Sequence, residues 1–472
     1  MAELREQEVT YLVAPDWAVP DLAPALDSGC RLEVCEHRLE ATYLDTAEQT
    51  LRWLGVTLRH RQGGDDAGWH LKIPAGEART ELQHRSDDSR PPAVLLDRLR
   101  GVIEGDDLQP VATVVTHRVA HRILSPLGQL VVEVADDRVE GADVASSETT
   151  AWREVETELG PAGDEKALDR LGKLLTESGA DRRGTTLKLD RVRGPLDGGG
   201  DDSLSAYLRA HCRAALLGEI GLRGTIDVDG IHDTRVAIRR IRSVLRLFAP
   251  LLEDRAIAAD DELRWFAGLF SDIRDADVMR AHLQRKVASL PPDRVFGPVR
   301  QEIEDAIAGD RDRGIDRWRE AGAGARYRLV TALLATWLRS PPLRARPLSD
   351  DELRRRGAKI LRKARRKVRR RLASAGDDPV RVHAARKATK RLRYAADLLT
   401  PVIPEAAVLA ERAKELQTVL GDHQDLVVEA AFLRYLAARY GARPEHNGFT
   451  YGLLMASAEG EAAEIRERLG RI

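Results

Sequence analysis

The stretch HDTRVAIRRIRSVLRLF, residues 232–248, decides the fold of the C-terminal half of the chain. Its basic side chains recur at steps of three and four residues, so on a helix they form one stripe of His232, Arg235, Arg239, Arg242 and Arg246. Beside it lies an apolar stripe, the face predicted to pack in the interior, formed by Ile241, Val244, Leu245 and Phe248. Because like charges at this spacing repel one another, the cationic stripe indicates a binding surface for a polyanion.

A second segment, HAARKATKRLRYAADLL at residues 383–399, repeats this pattern. Its basic stripe consists of His383, Arg386, Lys390 and Arg393. Two downstream segments, residues 269–278 and 419–428, also match each other, and their offset differs from that of the two histidines by a single residue. Matched segments in the same order predict an internal duplication. The recurrence of the stripe argues against the alternative that it is only a solvated helix face.

Helical periodicity extends over nearly all of the chain after residue 204. We therefore predict an all-α domain of two pseudo-symmetric four-helix bundles, at about residues 204–340 and 350–472. A third basic helix, residues 353–372, opens the second repeat. Its stripe includes Arg362, Arg366 and Arg369.

Charge divides the chain into two parts. Residues 1–195 contain 24 Lys and Arg against 36 Asp and Glu, whereas the remainder contains 51 against 40. A segment rich in glycine and aspartate lies at the change, which predicts a linker at residues 196–203 between domains at 1–195 and 204–472.

Several classes of protein are excluded by what the sequence lacks. It has no apolar run of about 18 residues, so no membrane span is predicted. Its three cysteines match no zinc spacing, and an acidic start without an apolar core predicts a cytoplasmic protein. Nucleic acid is disfavoured as the polyanion because Tyr394 stands almost alone as an aromatic residue within the basic stripes.

The paired motifs resemble a CHAD domain over about residues 200–472. The resemblance implies two four-helix bundles around a basic pore that binds inorganic polyphosphate. Its implied ligands are the basic residues of the three helices: His232, Arg235, Arg239, Arg242, Arg246, Arg362, Arg366, Arg369, His383, Arg386, Lys390 and Arg393.

The N-terminal half changes to a period of two residues. Short segments such as REQEVTYLV, GWHLKIP and WREVETELG place charged residues at alternate positions, which share one face of a strand. A solvated face of an ordinary antiparallel sheet would also produce this alternation. Because both signs of charge recur beside apolar alternates, we predict an α+β domain in which a closed barrel with external helices has a charged interior. Carboxylates inside could hold Mg²⁺ or Mn²⁺, and Arg and Lys could contact phosphate oxygens.

Residues 5–193 resemble the CYTH, or triphosphate tunnel, superfamily through EQEVT, LRWLGVTLRHR, WHLKIP, HRVAHR and EVETEL. The resemblance implies an antiparallel eight-stranded tunnel that acts on a triphosphate small molecule. The implied metal ligands are Glu6, Glu8, Glu154, Glu156 and Glu158, of which Glu6, Glu8 and Glu156 would be catalytic. The implied phosphate contacts are Arg59, Arg61, Lys72, Arg79, Arg118, Arg122 and Lys188.

Two positions depart from the pattern of that superfamily. Thr10 replaces the lysine of the Glu-x-Glu-x-Lys motif, and Leu187 replaces a serine before Lys188. We therefore state two hypotheses. In the first, the protein is a divalent-metal-dependent triphosphatase that hydrolyses inorganic tripolyphosphate or a related triphosphate and also binds polyphosphate. In the second, the tunnel is impaired and the chain is a non-catalytic module that docks onto polyphosphate or its granules.

Overall fold

The protein forms two compact units, Met1–Asp197 and Gly198–Ile472. The computed structural model describes residues 2–76, 78–103, 108–184, 187–196, 202–226, 228–344, 348–376, 378–441, 443 and 448–469. Within these ranges, no helix combines the length and the apolar character that crossing a membrane requires.

The N-terminal unit is built on one antiparallel sheet. Its strands are β1 (Ala2–Glu6), β2 (Glu8–Leu12), β3 (Arg31–Asp45), β4 (Thr57–Gln62), β5 (Gly68–Ala75), β6 (Ala78–His84), β7 (Gln109–Leu124), β8 (Leu130–Asp143), β9 (Thr149–Leu159) and β10 (Asp181–Gly184). They lie in the order β1-β6-β5-β4-β3-β7-β8-β9-β2-β10. The predicted class, an antiparallel β-domain followed by an all-helical domain, is confirmed.

The strand count differs from the predicted eight because the N-terminal segment is divided and a short strand is added. β1, the first strand of the order, pairs with β6, and β2, the last strand but one, pairs with β9. The segment interrupted at Gln7 therefore takes part near both ends of the strand order. The carbonyl of Gln7 accepts a hydrogen bond from the Leu159 backbone N–H at 3.1 Å. The strands thus form a ring that is completed by the covalent chain between β1 and β2. The sheet itself is not closed, because no pairing joins its described end strands, β1 and β10.

The described helices of this unit are α1 (Thr50–Leu54), α2 (Ala93–Ile103), α3 (Glu165–Glu177) and α4 (Lys188–Arg193). α4 packs on the inner face of the sheet, where its Leu189 joins Tyr43 and Val139 in one apolar cluster. α3 begins at an Asp164 cap whose side chain accepts from the Ala167 N–H, and its apolar face packs on β8 and β9. Buried Tyr11, Val134 and Val155 lie in this outer core, so the alternate residues of the same strands face the interior of the ring.

The helical unit contains two related halves. The first comprises α5 (Ser203–Leu222), α6 (Val228–Leu247), α7 (Asp254–Ala258), α8 (Asp260–Leu269), α9 (Ser271–Ser289), α10 (Val299–Gly322) and α11 (Ala325–Arg339). The second comprises α12 (Asp350–Ala373), α13 (Pro379–Leu399), α14 (Ala406–Tyr440) and α15 (Phe449–Leu469). α8 and α9 are separated at Phe270, whereas the matching part of the second half is the continuous α14.

The two halves share a core and a central helix pair. One apolar cluster joins α9 and α10 of the first half to α14 and α15 of the second, through buried residues that include Leu283, Ile303, Leu433 and Tyr451. The two helices with matched basic stripes, α6 and α13, also pack against each other. The duplication therefore brings the two stripes side by side.

Candidate functional site

A charged cavity of about 220 Å³ occupies the interior of the strand ring. All seven cations predicted to contact phosphate line it: Arg59, Arg61, Lys72, Arg79, Arg118, Arg122 and Lys188. Eight carboxylates among the described residues line it as well: Glu6, Glu8, Asp65, Asp66, Glu81, Glu133, Glu156 and Glu158. Apart from the fully buried Glu154, every predicted metal ligand therefore faces this cavity.

The structure divides the five predicted metal ligands into two groups, each around one lysine. The first group surrounds Lys72, whose Nζ lies 2.7 Å from Glu6 Oε2 and 3.7 Å from Glu8 Oε2. Glu158 belongs to the same group because β2 and β9 pair in the register that sets Glu8 opposite Glu158. Glu81, which the sequence analysis did not select, has its Oε1 3.9 Å from the same Nζ.

Burial leaves the carboxylates of the first group short of positive charge. It raises the pKa of Glu6 to about 8, and the attraction of Lys72 offsets this only in part. It also raises the pKa of Glu158 to about 7, with Glu8 and Glu133 adding repulsion. One ammonium thus serves several carboxylates, a deficit that a bound divalent cation would remove.

The second group surrounds Lys188 at the start of α4. Its Nζ lies 2.7 Å from Glu154 Oε1, 2.5 Å from Glu156 Oε1 and 3.1 Å from Asp137 Oδ2. Arg118 donates two hydrogen bonds of 2.7 Å to Asp137 and one of 2.7 Å to Glu156. Burial alone would raise the pKa of Glu156, but Lys188 and Arg118 outweigh it and lower that pKa well below its usual range.

Both groups offer the oxygen ligands that hard divalent cations prefer. Asp137, Glu154 and Glu156 bring carboxylate oxygens within 4.8 Å of one another, which is compact enough for one ion. The Lys188 ammonium already contacts all three, whereas Glu6 and Glu158 beside Lys72 have less compensating charge. The donor set of the tunnel therefore fits a divalent cation. The carboxylates beside Lys188 form the more compact set, and those beside Lys72 have fewer cations competing for them.

Thr10 lies on the same strand face as the second group. It is fully buried, and the register of β2 and β9 sets it opposite Glu156. Its Oγ1 has no hydrogen-bond partner within the part of the chain that the structure describes. The ammonium that contacts Glu156 comes instead from Lys188, which follows Leu187, the residue before the first turn of α4.

Five acidic residues of the tunnel were not among the predicted site residues: Asp65, Asp66, Glu81, Glu133 and Asp137. Asp137 is fully buried and contacts Arg118 and Lys188. Its neighbour Asp136 pairs with Arg153 on the other face of the strand. Two consecutive aspartates do not show in the sequence which of them faces the interior. Glu81 Oε1 lies within hydrogen-bond distance of His70 Nδ1, at 2.8 Å. Glu81 lies two residues after Arg79, a predicted phosphate contact, and this spacing is the signal that could have placed Glu81 on the inner face.

In the helical unit, four predicted ligands gather where α6 packs on α13. Arg235 and Arg239 come from α6, and Arg386 and Lys390 come from α13. Burial and the nearby Arg239 and Arg386 lower the pKa of Lys390 to about 7. Such a shift indicates a concentration of positive charge.

Aspartates hold the rim of this central cluster, defined as Arg235, Arg239, Arg386 and Lys390. The first rim contact joins Arg235 Nη1 and Asp275 Oδ1 at 3.0 Å. The second joins Arg386 Nη2 and Asp425 Oδ1 at 3.5 Å. These pairs use the matched aspartates of the two repeats.

The other predicted ligands of the helical unit are arranged differently. Arg242 and Arg246 both bind Asp260 at the start of α8, at 2.9 and 2.5 Å. His383 Nδ1 lies 3.0 Å from Gln424 Oε1, and Arg274 Nε lies 3.4 Å from His232 Nδ1. Arg393 lies 3.4 Å from Gln417 Oε1, on the next helix.

The three predicted arginines of α12, Arg362, Arg366 and Arg369, are exposed. Another residue of α12, Lys367, lies near α13. Burial lowers the pKa of Lys367, and the charge of Arg391 on α13 lowers it further. The structure therefore does not bring these three arginines into the described contacts of the central cluster.

The chain matches two family models and is similar to curated relatives over most of its length. The CYTH domain model matches residues 5–190, and the CHAD domain model matches residues 206–434. Uncharacterized protein MT2285 of Mycobacterium tuberculosis (strain CDC 1551 / Oshkosh) is 33% identical over 466 residues, covering 92% of this chain and 88% of the relative.

Two solved structures are also similar. PptA from Streptomyces chartreusis has a TM-score of 0.47 at 19% identity, covering 57% of this chain and 99% of that one. The CHAD domain from the plant Ricinus communis has a TM-score of 0.44 at 22% identity, covering 59% of this chain and 96% of that one.

Proposed function

Because the chain belongs to the proteins that join a CYTH domain to a CHAD domain, we propose that its tunnel binds a triphosphate with a divalent cation and its helical unit binds inorganic polyphosphate. The observation that carries the first part is the charge balance of the tunnel. Seven cations face eight carboxylates among its described lining residues. A polyanion gains little net attraction from such a lining unless a cation enters with it.

We propose that the divalent cation, Mg²⁺ or Mn²⁺, is held by Glu6, Glu8 and Glu158. When bound, it neutralises charge on the phosphate oxygens and polarises them. The buried Arg59 and Arg61 of β4 and Arg118 of β7 then orient the phosphate chain, since guanidinium groups make paired contacts with phosphate oxygens. Ion pairs with Asp66 and Asp137 hold Arg61 and Arg118 in place before the ligand arrives, and Arg59 donates a hydrogen bond to the Tyr43 hydroxyl.

The proposed reaction is hydrolysis of the terminal phosphoanhydride of tripolyphosphate. The oxygen of water forms a bond to the terminal phosphorus as the bridging P–O bond breaks, giving orthophosphate and pyrophosphate. The proton that water loses goes to a tunnel carboxylate that does not hold the cation. Positioning and charge neutralisation supply most of the catalysis in such reactions.

The second candidate is a tunnel that binds without hydrolysis in a protein that docks onto polyphosphate or its granules. Thr10 favours it, because a buried hydroxyl replaces a cationic phosphate contact. In that case the helical unit would provide the principal activity of the protein. Phosphate release distinguishes the two candidates, because only the first produces orthophosphate.

Phosphate release from tripolyphosphate by the full chain tests the tunnel. We expect release with Mg²⁺ or Mn²⁺ and none with EDTA. Arg118→Ala should lower the rate by about 10²-fold or more, because it removes a preorganised donor and leaves Lys188 as the remaining cationic partner of Asp137 and Glu156. Arg138→Ala is the matched control, since Arg138 on the paired strand is exposed. Equal rates in both variants would contradict the proposed site.

Polyphosphate binding by the helical unit should depend on pH through Lys390. This side chain faces Arg235 and Arg239 of α6, Arg386 of its own helix and Asp425 of α14. Its lowered pKa means that the free protein loses this positive charge as the pH rises through about 7. A bound polyanion favours the ammonium and must restore the proton, so affinity should fall by about tenfold or more between about pH 6.5 and pH 8.5.

Calorimetric titration with long-chain polyphosphate at constant ionic strength measures this dependence. Lys390→Arg should flatten it, because a guanidinium keeps its charge throughout the range. Lys387→Arg, one turn away and exposed, should leave the dependence as it is in the natural chain. A profile that Lys390→Arg does not alter would assign the dependence to another group.

A further inference from the structure

The loop between β4 and β5 places two aspartates against two arginines that were predicted to contact phosphate. Asp66 Oδ2 lies 2.6 Å from Arg61 Nη1, and Asp65 Oδ2 lies 3.0 Å from Arg122 Nη2. Both aspartates and Gly64 line the tunnel cavity. The carboxylates thus occupy two guanidinium groups that a phosphate chain would need.

The loop reaches beyond its own hairpin to make these contacts. Arg61 is on β4, but Arg122 is on β7, and the strand order places β3 between them. Asp65 therefore extends across β3 to the far strand. The contact joins two non-adjacent strands across one end of the cavity.

The backbone of the loop is fitted to this position. Gly63 and Gly64 have φ angles of 81° and 76°, in the left-handed region that favours glycine. A Cβ on Gly63 would lie 2.2 Å from the carbonyl oxygen of Arg38, and one on Gly64 would lie 2.7 Å from Leu39 Cδ2. The sequence Gly-Gly-Asp-Asp is therefore what allows the aspartates to approach the tunnel closely.

The two anchors of the loop differ in strength. The Asp66 carbonyl accepts a hydrogen bond from His70 Nε2 at 2.7 Å, and the Arg61 side chain is only 11% exposed. Burial would raise the pKa of Asp66, but Arg61 and His70 outweigh it and keep the carboxylate ionised. The Asp65 side chain is 71% exposed, so its pair with Arg122 is the weaker and more easily exchanged contact.

We propose that this loop is an acidic lid that competes with the phosphate chain for two arginines of the tunnel, an inference that rests on the proposed triphosphate binding. In the free protein, Asp66 pairs with Arg61, and Asp65 pairs with Arg122 beside Glu133. A linear phosphoanhydride replaces both carboxylates only when it is long enough to reach both arginines. Tripolyphosphate meets this condition better than pyrophosphate or orthophosphate, so the lid opposes the longer anion at both arginines and a shorter anion at fewer of them.

Calorimetric titration of the full chain with tripolyphosphate and with pyrophosphate, in Mg²⁺, tests the lid. Asp65→Asn with Asp66→Asn should raise affinity for tripolyphosphate by about tenfold, because two charge-assisted contacts no longer compete. Affinity for pyrophosphate should rise by a smaller factor, because pyrophosphate replaces fewer of the two carboxylates, so the preference for the longer anion grows. This change in selectivity is a readout that a purely structural role of the loop would not give.

Two further proteins complete the experiment. Asp65→Asn alone changes an exposed side chain, so it should fold normally and show the same direction of change, by about threefold. Asp97→Asn with Glu140→Gln removes the same two charges from exposed positions outside the cavity and should leave both affinities unchanged.

The possible results separate the lid from the function on which it rests. If the natural chain binds tripolyphosphate and the Asp65 variants show the same affinities and selectivity, the lid is overturned alone. If neither the natural chain nor the variants bind tripolyphosphate, the proposed function is overturned and the lid with it. If the control pair reproduces the effect, general electrostatics explain it and the lid is overturned.

Discussion

Replacing Arg239 and Lys390 together by glutamate is expected to lower the affinity of the full chain for long-chain polyphosphate by at least about a hundredfold. The two residues are half-buried at the packed faces of α6 and α13, one in each repeat. Burial lowers the pKa of each, and other cations of the central cluster add to both shifts, so the charges are closely grouped. Reversal removes two attractive contacts and adds two repulsive charges at the centre of the surface.

The measurement is a titration with polyphosphate in EDTA, which suppresses metal-dependent binding in the tunnel. The slope of log affinity against log salt should also become shallower, because fewer counterions are exchanged. Arg264→Glu with Arg319→Glu is the matched control, since both arginines are exposed outside α6 and α13. Arg239→Gln with Lys390→Gln guards against misfolding by the reversed charges. Unchanged affinity in a variant of natural helicity would refute the central cluster.

The two units place different requirements on a polyanionic ligand. The central cluster has four cations and two rim aspartates, so it attracts phosphate without help. The tunnel lining is nearly balanced, so its attraction depends on a bound cation or on protonated carboxylates. Polyphosphate binding that persists in EDTA is therefore expected of the helical unit, and metal-dependent binding is expected of the tunnel.

Periodicity made much of this structure predictable from the sequence. The steps of three and four from His232 to Arg246 describe one face of α6, and their recurrence after His383 predicted the matching basic helix α13. The alternation in WREVETELG placed Glu154, Glu156 and Glu158 on one strand face, and the structure puts that face inside the ring. Such patterns act through local geometry, which the order of residues determines directly.

Contacts between distant residues could not be predicted in the same way. The matched stripes gave no sign that Asp260 would bind both Arg242 and Arg246, because Asp260 belongs to α8 and reaches them only through helix packing. Nor did the strand pattern show that Lys72 and Lys188 would divide the glutamates. The interruption of the first strand at Gln7 likewise depends on which neighbours pair with each half.

Lys188→Met is expected to lower kcat/KM for tripolyphosphate by about 10²–10³-fold, the usual effect of losing a preorganised cationic donor. The substitution leaves Asp137, Glu154 and Glu156 with Arg118 as their principal compensating charge. These carboxylates would then repel the phosphate chain and each other. The melting temperature should fall as well, because breaking a buried ion pair leaves uncompensated charge. Lys173→Met on the exposed face of α3 is the control for loss of a lysine.

Adding Thr10→Lys to Lys188→Met should restore a large part of the lost activity. Thr10 is opposite Glu156 in the register of β2 and β9. A lysine at position 10 can therefore bring an ammonium to the carboxylate that Lys188 contacts in the natural chain. In the natural chain the same change should have little effect, because Glu156 already has a cationic partner. Steady-state phosphate release from the four proteins forms a double-mutant cycle, in which the coupling energy measures how far one ammonium replaces the other. Additive effects would contradict this exchange and would mean that Lys188 acts on the ligand in a way that position 10 cannot reproduce.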